Sequence, residues 1–120
     1  MESTLVRGSD VLDRALLALS AARKFALAAR AAADRSREDD QRALHGYAWI
    51  ETSVQALAAS LAWAEAAFSS PSQTTEILVL QIGFGEYLAQ LVGGVPMSQN
   101  EFLRPVDLGI VPAAEELRRD

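Results

Sequence analysis

The 61 residues between Arg42 and Arg104 contain neither Lys nor Arg, and carry only five charges, at Glu51, Glu65, Glu76, Glu86 and Glu101. A helix that meets water along one side keeps a charged face opposite its apolar stripe. The helices read from this stretch have too little charge to furnish one, so burial on more than one side is expected. In a chain of 120 residues the cover would come from a second domain of a longer polypeptide or from a second copy of the same chain.

The length allows one domain with a single hydrophobic core. With 11 basic and 16 acidic side chains, a net charge of −5 and no basic run, the chain lacks the clustered cations that phosphate neutralisation requires, which disfavours nucleic acid and an anionic membrane surface as partners. The absence of cysteine excludes disulfides, thiolate catalysis and thiolate metal sites, and fits a reducing compartment. The start, MESTLVRGSD, lacks the basic and apolar regions of a signal peptide. A cytoplasmic location is the expectation. Ile77 to Val95 is 19 residues with the single charge of Glu86, close to the length of a membrane span. Glu86 at its middle, Gln81 and Gln90 about a turn away, and the lack of flanking Lys or Arg argue against a span.

Three long helices account for most of the chain. Ser9 and Asp10 are N-cap residues, and Val11 to Asp34 has no Gly or Pro but abundant Ala, Leu and Arg, the strongest helix formers. Helix one therefore spans about 10–34, with Leu12, Leu16, Leu19, Ala22, Ala26, Ala29 and Ala33 inward and Arg14, Arg23, Lys24 and Arg30 outward. Seven of nine residues from Asp34 to Arg42 are charged. Ser36 and Asp39 there have capping-box spacing, and the chain is expected to turn. Helix two follows over about 37–68. Ala43, Tyr47, Ile50, Val54, Leu57, Leu61, Ala64 and Phe68 form one stripe, and Leu44, Ala48, Ala58, Ala62 and Ala66 a second, so both sides are expected to be buried. Pro71 ends this helix. Helix three spans about 73–92, stopped by Gly93 and Gly94, with Ile77, Leu80, Phe84, Leu88 and Leu91 on one face. Gly85, Ala89 and Gly93 lie one turn apart, leaving a groove where another backbone can approach. Ser98 and Glu101 have capping-box spacing and predict a short helix over 99–103, followed by a turn at Asp107 to Gly109. Pro112 then opens a last short helix, Ala113 to Arg119. The class is all-α, a helical bundle. Residues 1–9 read as a flexible N-terminus, 10–110 as the helical domain, and 111–120 as the start of a truncated helix or linker.

No catalytic constellation accompanies this framework. His45 is the single histidine, and no second ligand lies at three- or four-residue spacing from it, so zinc is disfavoured. A general-base role would need a partner that the sequence does not identify. Glu86, with Gln90 one turn later on an apolar helix, could be a desolvated acid or base. The preferred reading is a narrow polar strip, bonded to a neighbouring helix or facing the edge of the core. Trp49, Trp63, Tyr47 and Tyr87 could stack on a ligand or anchor an interface, with plain core residues as the more ordinary reading. Gly83-Phe84-Gly85 lies within a helical pattern, not between a strand and a helix, and is no phosphate loop. Arg104, the first cation after the long gap, is either half of a pair with Glu101 or a partner carboxylate, or a solvated arginine at a helix end. The candidate packing or interface residues are Trp49, Trp63, Gly85, Glu86, Ala89, Gln90, Gly93 and Arg104. No residue is assigned to catalysis, cofactor or metal.

Two segments carry a resemblance. The first is His45-Gly46-Tyr47-Ala48-Trp49 with Thr52, Val54, Leu57 and Trp63. The second runs from Gln81 to Gln90, then Gly93-Gly94-Val95-Pro96-Met97-Ser98-Gln99 with Glu101, Arg104 and Pro105. Together they resemble the N-terminal helical extension of a subgroup of bacterial acyl-CoA dehydrogenases, over about residues 40 to 110. Glu51 and Ser53 depart from that pattern, which has Ala and Tyr there. The resemblance implies a larger FAD enzyme that oxidises an acyl-CoA thioester across its α,β carbons and passes electrons to an electron-transferring flavoprotein. It places the catalytic glutamate, flavin contacts and CoA channel in the main dehydrogenase fold, outside these residues, and makes this segment a packing or capping layer with no activity of its own. The alternative is a stand-alone helical protein that covers its apolar helices by forming homo-oligomers.

Overall fold

The computed structural model describes residues 8–35, 41–68, 74–98 and 101–119. Three long helices form the frame: α1 (Gly8–Arg35), α2 (Gln41–Ala67) and α3 (Thr74–Gly93). A two-stranded antiparallel hairpin, β1 (Val95–Ser98) and β2 (Glu101–Leu103), is followed by α4 (Pro105–Leu108) and α5 (Val111–Arg119). The class is all-α, and the molecule is elongated, 58 × 24 × 22 Å. The expected capping box at Ser36 and the turn around Pro71 lie outside the described residues.

The core follows the helical periodicity of the sequence. Ile50, Val54, Leu57, Leu61 and Ala64 of α2 are buried against Ala15, Leu19, Ala22, Phe25, Ala26 and Ala29 of α1, and Ile77, Leu80, Phe84 and Leu91 of α3 complete the cluster. The α1 stripe is the expected one through Leu19, Ala22, Ala26, Ala29 and Ala33, all buried, except that Leu16 is exposed, and Val11, Ala15 and Phe25 widen it. Its small alanines let α2 approach closely, and Phe25 fills the width that they leave.

Of the helix expected over 99–103, the described residues Glu101–Leu103 form a strand instead. The chain pairs Val95 with Leu103, Pro96 with Phe102 and Ser98 with Glu101, with an irregular register between Pro96 and Ser98. A five-residue helix gains little by itself, because nucleation is costly. The hairpin buries Val95, Met97 and Leu103 in the common core, and that burial decides the local conformation. Pro96 is tolerated because it stands beside the irregularity of a two-stranded sheet, where no central ladder bond is lost.

The turn expected at Asp107 to Gly109 is a single helical turn, α4, closed by Gly109 at φ 68°. Gly94, after α3, has φ 146°, also a region natural to glycine. Helix α5 starts at Val111, with Pro112 in its first turn, where a missing amide hydrogen costs nothing. Ala114 and Leu117 of α5 are buried in the same cluster as the long helices.

Candidate interaction surface

The second stripe of α2, expected to be buried, lies on the outside of this chain. Leu44, Ala48, Ala62 and Ala66 are exposed and Ala58 is half-buried. The aromatic residues follow the same correction: Trp49 is 38% exposed and Trp63 44%, Tyr87 is also at the surface, and Tyr47 is half-buried. They are not core. A helix has one face toward its bundle, and α2 spends that face on Ile50, Val54, Leu57 and Leu61, so the second stripe must point away.

Helix α3 repeats the pattern with less polarity. Its outward face carries Leu78, Val79, Ile82, Gly85, Glu86, Ala89 and Gly93, all exposed, with Ile82 at 70%. A Cβ built on Gly85 or Gly93 meets nothing within 4 Å, so the row of small residues is open above. Gln90 Nε2 donates to Glu86 Oε1 at 3.3 Å. The two form a polar strip, satisfied within one helix and turned outward, not bonded to a neighbouring helix. Glu76, in the first turn of α3, has a buried Oε2 with no hydrogen-bond partner among the described residues.

The anticipated residues do not converge on one point. Gly85, Glu86, Ala89, Gln90 and Gly93 adjoin one another on α3, while Trp49 and Trp63 stand 14 residues apart on α2, roughly 21 Å along its axis. Trp49 Nε1 donates to His45 Nε2 at 3.0 Å, and the rings meet edge to face at 71° with centroids 6.3 Å apart. With Ala48 and Thr52 they line a shallow notch of about 250 Å³. His45 is therefore a hydrogen-bond acceptor for its own helix. Tyr47 Oη and Gln55 Nε2 donate to the two carboxylate oxygens of Glu51, at 3.4 and 2.9 Å.

Arg104 is exposed, and its backbone enters a cap. The Arg104 amide donates to Asp107 Oδ2 at 2.8 Å, and the Asp107 amide donates back to the Arg104 carbonyl at 2.9 Å. Arg42 Nη2, at the start of α2, reaches the same Asp107 oxygen at 3.4 Å. The Arg104 amide above all, helped by the Arg42 guanidinium, holds the Asp107 carboxyl below its ordinary value against a smaller opposing effect of burial. This link ties the end of the hairpin to α2. Sequence reading missed it because 65 residues separate Arg42 from Asp107.

Sequence reading also missed an open furrow between α1 and α3. Leu17 of α1, 70% exposed, lines it together with Val11, Ala15, Leu80, Phe84 and Leu88. Leu17, near Arg14 on the wet side of α1, was the available signal. Among the described residues no helix is long and apolar enough to cross a membrane, and no group of three or more His, Asp or Glu side chains is placed to hold a metal ion.

No family model matches the chain, and no solved structure matches it. The chain is 44% identical over 81 residues to (2S)-methylsuccinyl-CoA dehydrogenase of Cereibacter sphaeroides, a match that takes in 63% of this chain and 14% of that enzyme. This chain thus spans a small part of the relative's length, and over that part it is similar to an acyl-CoA dehydrogenase.

Proposed function

We propose that this chain is a helical packing domain of a flavin-dependent acyl-CoA dehydrogenase-like oxidoreductase, cytoplasmic and without catalytic activity of its own. The observation that carries the reading is the outward face of α3, where Leu78, Val79, Ile82, Gly85, Ala89 and Gly93 are exposed and Glu86 is the one charge. A surface that apolar and that poor in charge is the composition of the centre of an interface. The 44% identity to a dehydrogenase names the kind of body it would cover. The long helices and the hairpin form the packing layer in this reading, and α5 packs on them through Ala114 and Leu117.

FAD would belong to that next part. The described residues do not fit a dinucleotide: Gly83 and Gly85 sit in the middle of α3, where their amide hydrogens are committed to the helix and cannot cradle a phosphate. No chemical step is assigned to this chain. Acyl-CoA oxidation and electron transfer to a flavoprotein would be carried by the dehydrogenase body, with this domain supplying buried surface.

An antibody against this domain, used on the native protein, tests the reading. A species several times larger than 12.9 kDa that purifies with flavin absorbance is the expected result. A native species of 12.9 kDa that forms discrete oligomers in light scattering would overturn it in favour of a self-associating interaction protein.

A further inference from the structure

The open furrow has a direction and a charge that identify its occupant. Helices α1 and α3 run parallel, since Val11 to Ala15 face Leu80 to Phe84 while Ala18 lies beside Leu88 and Val92. Helix α5 runs against them. Ala113, Glu116 and Leu117 lie along Ala21 to Ala28 of α1, Lys24 Nζ is 3.7 Å from Glu116 Oε1, and one turn further Leu117 and Arg118 reach Ala18. Helix α5 therefore takes the fourth position of an up-down-up-down bundle, descending between α1 and α3. Directly in its line lies a part of the furrow that no described residue covers, with a volume of about 480 Å³. Val11 to Ala18 spans about 10 Å at 1.5 Å per residue, two turns of helix. Among the described residues its walls are apolar, Arg14 and Gln81 are the polar side chains lining it, and no carboxylate does.

We propose that this furrow seats a helix in line with α5, two turns long and antiparallel to α1. It carries apolar residues at three- and four-residue steps continuing from Ala114 and Leu117, and a carboxylate toward Arg14. The source of the helix rests on the reading above, because it is supplied by the polypeptide of the larger oxidoreductase. The occupant continues the line of α5 and fixes the domain rigidly to what it packs on.

The test extends this chain by an eight-residue segment with that pattern, beside a second extension of the same composition with its apolar residues moved to the opposite face. The patterned extension should raise the thermal midpoint by about 5 °C and slow amide exchange along Val11–Ala18 and Leu80–Leu88. Leu17→Glu, at a side chain largely in water and so compatible with folding, should cancel both effects. Equal effects from the two extensions, or a gain that survives Leu17→Glu, would overturn the proposal. Neither extended chain contains a flavin or a dehydrogenase, so a failure here leaves the proposed function standing. A native protein without flavin would in turn leave a positive result here intact.

Discussion

Gly46→Ala should destabilise the chain even though it places the best helix former inside a helix. Alanine in a helix interior is worth about 1 kcal/mol over glycine. At position 46, however, the new methyl would stand 2.5 Å from Leu103 Cδ2, 2.7 Å from Cδ1 and 3.1 Å from Cγ. Leu103 cannot swing aside freely, because it is 2% exposed and is held opposite Val95 in the hairpin. Overpacking of this kind costs about 1–3 kcal/mol, which leaves Gly46→Ala destabilised by up to about 2 kcal/mol. Leu103→Ala alone should cost about 2–5 kcal/mol, through lost burial and the cavity left behind. In the double variant the methyl introduced at position 46 enters that cavity, the clash disappears, and the helix propensity is recovered. The two substitutions should therefore couple by about 1–3 kcal/mol, the double variant being more stable than the sum of the singles. Urea unfolding of the four proteins, followed by far-ultraviolet circular dichroism, measures this. A Gly46→Ala variant stabilised by the full helix propensity, or a double variant equal to the sum, would refute the docking of the hairpin on α2 through this glycine.

Asp107→Asn should lower stability at neutral pH and flatten its acid dependence. The folded carboxyl titrates below its ordinary value of 3.8, so its contribution is complete above that value and is lost as pH falls through the lower folded one. Thermal unfolding between about pH 5 and pH 2 should show the two proteins converging at the acid end. Leu57→Ala, at a side chain with no exposure, should cost about 2–5 kcal/mol in the isolated chain. Ile82→Glu, on the outward face of α3, should change that stability by no more than about 0.5 kcal/mol. Ile82→Glu should instead abolish association with whatever covers α3, read by light scattering and co-purification, and an unchanged assembly would show that this face is not the interface.

The three helices and the main stripes of α2 and α3 were legible in the sequence because each is a local property. Periodicity at Ile50, Val54, Leu57 and Leu61 needs only neighbours three and four residues away, and Gly93 and Gly94 stop α3 through their own backbone freedom. The missing charges between Arg42 and Arg104 likewise correspond to the exposed apolar faces of α2 and α3. What composition could not assign was which apolar stripe faces inward. Leu44, Ala48, Ala62 and Trp63 have the same character as buried residues, and only the positions of α1 and α3 around α2 put them outside. The segment from Val95 to Leu103 shows the same limit, since Ser98 and Glu101 spell a helix start and the space beside Gly46 draws Leu103 into a hairpin. The link from Arg42 to Asp107 and the furrow in line with α5 join residues far apart in sequence. No local signal encodes such a pairing, because it exists only once the helices have packed.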